Sequence, residues 1–146
     1  MYKKLLLLFA VLSFSIASAF TVNGVNYNIT SATTVEVGNN AGYNGALILP
    51  STVSDGGTTY AVTSIVSSAF NSCLNLTSVV IPNSITAIGS YTFYSCIALT
   101  AVTIPNSVLS IGDNAFANCS ILPSVILPNA LTSIGAFAFA YCPLLS

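Results

Sequence analysis

The sequence predicts a solenoid, with short parallel strands, irregular, 3₁₀-like or short helical returns, and an N-terminal β-hairpin region capping its first coil. Three observations predict it. Phe70, Phe93, Phe116 and Phe139 recur every 23 residues, and Cys73, Cys96, Cys119 and Cys142, Pro82, Pro105 and Pro128, and Gly89, Gly112 and Gly135 keep the same step. A single coincidence of spacing is cheap; four residue types in one register are the mark of a repeat. Within each unit an alternating apolar half ends at proline, and no unit can bury its apolar stripe alone, so units must stack like on like.

Taken in order, the chain opens with Lys3 and Lys4, the apolar run Leu5 to Ile16, and the small residues Ala17 to Ala19. A positive start, a short apolar stretch and an A-x-A site predict a signal peptide over 1–19, cleaved near Ala19. The run is too short and too rich in serine for a membrane span. Residues 20–46 then read as a β cap: "FTVNGVNYNI" alternates around Asn23-Gly24, a two-residue hairpin signal, and "TTVEV" supplies a further strand.

The repeats are expected over 47–146. Their first unit, from Leu47, is stretched by "SDGGT" at 54–58, whose composition is that of a turn. The regular units follow. Leu76, Val79 and Ile81, then Leu99, Val102 and Ile104, then Leu122, Val125 and Leu127 supply the inward side of a short strand. Pro-Asn ends each strand, because proline has no N–H for the ladder. The return places apolar residues at 85, 88 and 93, at 108, 111 and 116, and at 131, 134 and 139, a spacing that suits a tight irregular or 3₁₀-like path carrying one aromatic inward. Leu145 begins another unit and Ser146 follows it, so the last repeat is incomplete: the expectation is either a fragment of a longer protein or an exposed final coil.

"LTSVVIPNSITAIGSYTFYSC", 76–96, and "LTAVTIPNSVLSIGDNAFANC", 99–119, resemble the leucine-rich repeats of the BspA-like type nearly residue for residue. The likeness is close from Leu76 to Leu145 and looser back to Leu47, where Ile65 and Phe70 keep the register while Val66 replaces the glycine. The resemblance implies an adhesin-like role, with attachment to matrix or cell-surface proteins.

Charge narrows the chemistry. After Lys4 the chain carries Glu36, Asp55 and Asp113 and no basic residue or histidine. Nucleic-acid binding needs cations to displace phosphate counterions, so that class is excluded, as is adhesion to anionic membrane surfaces. Three scattered carboxylates give no acid–base pair, no triad and no metal-ligand cluster. The sequence therefore assigns no catalytic, metal or cofactor site. Cysteines at a constant step of 23 lack the close pairs of zinc sites. They read as buried thiols, one per coil, with disulfides left open by the exported setting. Asn28, Asn75 and Asn118 begin Asn-x-Ser/Thr sequons, which are weak signals in a chain where Asn and Thr crowd the turns.

One surface is singled out. On the strand face Ile48, Val80, Thr103 and Ile126 point away from the core, with Thr77, Ser78, Thr100, Ala101 and Ser124 beside them. This flat, uncharged, partly apolar ladder is the expected protein-binding face; the same residues would also be there if Val, Ile and Thr merely favour strands. A secreted or cell-surface protein-binding module is the leading reading. The alternative is a structural spacer that self-associates through its open C-terminal coil.

Overall fold

A computed structural model describes residues 19–146; the expected signal peptide, up to residue 18, lies outside the described residues. The chain winds through four coils, numbered here 44–73, 74–96, 97–119 and 120–142, preceded by the cap.

The cap forms as its turn chemistry dictates. Strands β1 (Ala19–Val22) and β2 (Val25–Ile29) are antiparallel, with Val22 opposite Val25. Asn23 and Gly24 both take positive φ, 51° and 77°, as a tight two-residue hairpin requires. β3 (Thr34–Val37) pairs antiparallel with β2 and parallel with β6 (Thr58–Ile65), which in turn makes a hairpin with β5 (Thr52–Asp55) across Gly56-Gly57. The cap is thus continuous with the first coil in one five-stranded sheet, β1-β2-β3-β6-β5. Asn40, almost fully buried, seals the junction. Its side chain accepts from the Asn26 amide (2.8 Å) and donates to Gly38 O (2.9 Å), while its own N–H donates to Ala69 O (2.6 Å).

The repeat strands β4 (Asn44–Ile48), β7 (Asn75–Val80) and β9 (Ala101–Thr103) form a parallel sheet in the order β4-β7-β9. A fourth strand was expected at 122–127 and does not form. Pro123 is the reason: it occupies the position of Thr100, whose N–H donates to Thr77 O at 2.9 Å. Without that donor the fourth coil cannot start its ladder on β9.

The returns follow the expected irregular path, without short helices and with a second sheet added. No helix occurs among the described residues; instead β8 (Ala87–Ile88), β10 (Ser110–Ile111) and β11 (Ser133–Ile134) form a second parallel sheet, with Ile88, Ile111 and Ile134 in register. Beyond it lies a run of turns with a regular hydrogen-bond alternation. Ala69, Asn71 and Cys73 close local turns, while Ser68, Phe70 and Ser72 donate to the carbonyls of Ser90, Thr92 and Tyr94 in the next coil. The pattern repeats one step on, and it forces two positions per coil into left-handed backbone. Ser68, Tyr91, Asn114 and Phe137 form one such column and Ser72, Ser95, Asn118 and Tyr141 the other, all with φ between 54° and 61°. Each non-glycine residue held there costs roughly 1–2 kcal/mol.

The core is the stack that the period implies. Phe70, Phe93 and Phe116 are wholly buried. Their rings and that of Phe139 lie nearly parallel at centroid separations of 5.5, 5.2 and 5.3 Å. Tyr43 closes the file edge-on against Phe70, at 5.9 Å and 89°. Beside the rings runs a file of thiols. Cys73, Cys96, Cys119 and Cys142 donate to the carbonyls of Asn40, Phe70, Phe93 and Phe116 at 3.2 to 3.4 Å. All four are free, so the thiol reading holds over the disulfide one. Burial pushes the Cys96 thiol up to about 12 and raises Cys119 as well. Such thiols stay protonated and make poor nucleophiles.

Candidate functional site

The strand sheet brings most of the expected face together. Ile48, Val80 and Thr103 are partners across β4, β7 and β9, and all three are exposed. Ala46, Ser78 and Ala101 form the neighbouring row, with Ser78 half-buried. Thr100 ties to Thr77 through both its N–H and its hydroxyl, which donate to Thr77 O at 2.9 and 3.0 Å. The register is also fixed by the buried Leu47 and Val79 and the half-buried Val102 on the opposite side of the same strands.

Ser124 and Ile126 do not join this ladder, because the fourth coil carries no strand. Ile126 is 85% exposed, against 72% for Ile48 and 39% for Val80. Leu127 departs from expectation in the same way, since it was expected to face inward and is instead exposed. The apolar character of the surface also reaches further than the predicted residues. Leu74, Ile97, Ile121 and Leu144, at the corners between the turns and the strand side, are all exposed. Their signal in the sequence was an apolar residue one or two places after each cysteine, which a core-directed reading passes over.

Among the described residues the charged side chains are Glu36, Asp55 and Asp113, and none of them stands on β4, β7 or β9. Glu36 accepts from the Asn28 side chain at 3.1 Å in the cap sheet. The Asp113 carboxylate accepts from the Ala136 N–H at 2.7 Å, tying coil three to coil four. Asp55 ends β5 at the hairpin. Among the described residues no group of three His, Cys, Asp or Glu side chains is placed to hold a metal, and no helix is long and apolar enough to cross a membrane. Of the sequon residues, Asn28 is engaged with Glu36 and the Asn118 amide donates to Ser95 Oγ at 2.9 Å. Of the three, only Asn75 is exposed, at the start of β7.

The arrangement is an extended, partly apolar surface on a hydrogen-bonded parallel sheet, with no charged residue on β4, β7 or β9. The sequence from 58 to 146 matches the family model described as the BspA type leucine rich repeat region, in six copies. The comparison with curated proteins returned no match. Among solved structures the chain is similar to a leucine-rich repeat protein from Bacteroides ovatus, at 28% identity and TM-score 0.72, covering 87% of this chain and 40% of that one. It is also similar to a leucine-rich repeat protein from Bacteroides capillosus, at 28% identity and TM-score 0.71, covering 80% of this chain and 87% of that one. The T. pallidum leucine-rich repeat protein shares the fold at 24% identity and TM-score 0.70, over 87% of this chain and 69% of its own. The chain thus spans about two fifths of the length of the Bacteroides ovatus structure.

Proposed function

This chain belongs to the BspA-type leucine-rich repeat family, and from that premise we propose that it is a secreted or cell-surface module that binds another protein, in the manner of an adhesin. The observation that carries the reading is the exposed row Ile48, Val80 and Thr103 on a hydrogen-bonded sheet whose strands carry no charged residue. A rigid apolar row of this kind supplies contact area at little ordering cost, and repeat arrays use extended faces of this sort for recognition. The family resemblance points to a matrix or cell-surface protein as partner.

Binding through this face is expected to change little between low and high salt, since electrostatic steering has no basic charge to act through. Val80→Asp combined with Ile48→Asp, two cross-strand partners on the exposed row, is expected to weaken binding to an immobilised matrix protein at least tenfold. Its circular dichroism and unfolding midpoint should stay close to those of the parent, because both side chains point outward. Surface plasmon resonance against collagen, laminin and fibronectin checks this; binding retained by the double variant, or lost steeply with salt, removes the strand face as the site.

One observation favours a second reading, a self-associating structural element. In the fourth coil the N–H groups of Phe137, Phe139 and Tyr141 occupy the places from which the third coil donates to Ala136, Ala138 and Ala140, and among the described residues no carbonyl accepts from them. Beside them Val125, Leu127, Phe139 and Leu145 line an open groove of about 360 Å³. Light scattering during size exclusion separates the readings: oligomers that grow with concentration support assembly, and a monomer at all concentrations rejects it.

A further inference from the structure

The turn side of the solenoid carries an arrangement that stability alone does not favour. Left-handed backbone is the place for glycine or asparagine. Asn114 and Asn118 follow that rule, whereas Tyr91, Phe137 and Tyr141 break it at φ 57–58°. These three rings are also left in solvent, at 41%, 68% and 79% exposure. The turn ladder imposes this backbone on every coil, Ser68, Ser72 and Ser95 included, and at Tyr91, Phe137 and Tyr141 it holds exposed aromatic rings in fixed register.

The rest of the surface fits one kind of ligand. Tyr91 packs edge-on against Tyr94, 5.6 Å away in the same turn. In the coil between Tyr91 and Phe137 the corresponding places are taken by Asn114 and Asn118. The backbone ladder holds these columns in register, with the Tyr91 N–H donating to Asp113 O and the Asn114 N–H to Ala136 O, both at 2.9 Å. The Tyr91 column is therefore aromatic, amide, aromatic from coil to coil, and the Ser95 column beside it hydroxyl, amide, aromatic, both repeating at the spacing of 5.2 to 5.5 Å seen between the stacked core rings. No basic residue is available among the described residues to draw an anion.

We propose that this turn face binds an uncharged polysaccharide laid along the solenoid axis, separately from the protein-binding strand face. Aromatic rings present flat apolar faces with a polar rim, suited to the C–H face of a pyranose, and the intervening asparagine amides can donate to and accept from its hydroxyls. A chain of pyranose rings joined through equatorial bonds advances by close to one coil step per ring. Sugars over Tyr91 and Phe137 would then be two residues apart, with the one between them facing the asparagines. Each ring of such a chain is neutral, matching a face without cations.

The test is affinity electrophoresis of the protein in native gels containing hydroxyethylcellulose, mannan or no polysaccharide, followed by calorimetric titration with cellohexaose. Retarded migration in one of the neutral polysaccharides is expected. Tyr91→Asn with Tyr141→Asn should reduce affinity at least tenfold while leaving the melting temperature unchanged or raised, because asparagine accepts the left-handed backbone better. The strand-face variant Val80→Asp with Ile48→Asp should keep full polysaccharide binding, which separates this proposal from the previous one. Migration unaffected by both polysaccharides together with no heat on titration overturns it. So does equal binding by the asparagine variant, or a turn-face variant that loses protein binding alone.

Discussion

Replacing Phe116 by alanine is expected to lower the unfolding free energy by about 3–5 kcal/mol, the range for deleting a buried phenylalanine. Its ring is fully buried and lies between those of Phe93 and Phe139, at 5.2 and 5.3 Å. The loss therefore opens a cavity that touches two coils at once, and neither coil can close it without sliding on the other. Phe139→Ala is the control. That ring is only partly buried and stacks on one side alone among the described residues, so its loss should cost clearly less. Urea unfolding followed by circular dichroism measures both. Equal and small effects would mean that the aromatic file is not the core of the repeat.

The second large effect is expected from adding a single methyl group. A Cβ on Gly112 would meet the Ser90 backbone N at 2.6 Å and the Gly89 carbonyl carbon at 2.8 Å, atoms that belong to the preceding coil and cannot rotate away. Gly112→Ala must push the second and third coils apart at their second sheet, with an overpacking cost of about 1–3 kcal/mol. At Gly89 the nearest atom is the Ser67 hydroxyl, at 3.0 Å, and a side-chain oxygen can move. Gly89→Ala should therefore cost less than Gly112→Ala. A reversed order in the unfolding midpoints would show that the coils do not approach each other as closely as the glycine column implies.

Both expectations trace back to one register, and that register was legible in the sequence. The phenylalanine, cysteine and glycine columns stand at one constant interval in the sequence, and each is a physical file in the structure. The hairpin at Asn23-Gly24 was legible as well, because positive φ at two successive positions restricts the residues that can stand there. Pro123 was legible as a residue but not as a consequence. Its effect depends on what lies across the gap, namely the carbonyl of Thr77's counterpart one coil on, and no local pattern names that atom. The face suffered accordingly. Ile48, Val80 and Thr103 came together because their inward neighbours fix the strands, while Ile126 and Ser124 fell outside the sheet.

Other features were hidden for a different reason. The corner residues Leu74, Ile97, Ile121 and Leu144 look like core residues to any pattern based on hydropathy, since a side chain's direction at a turn follows from backbone angles that the residue itself does not set. The left-handed columns were equally silent. Tyrosine and phenylalanine are among the last residues expected at positive φ, so Tyr91, Phe137 and Tyr141 gave no signal of it. The junction at Asn40 involves partners as far away as Ala69 and Cys73, beyond the reach of a local reading.

By itself, then, the sequence determined the period, and with it the stacked core and the parallel strands, because identical side chains at identical intervals have only one way to cover one another. Tertiary structure alone decided the form of the returns, the merging of the cap with the first coil, and which apolar side chains reach solvent. Those outcomes rest on hydrogen bonds and close approaches between coils, and such contacts exist only once the coils have been laid side by side.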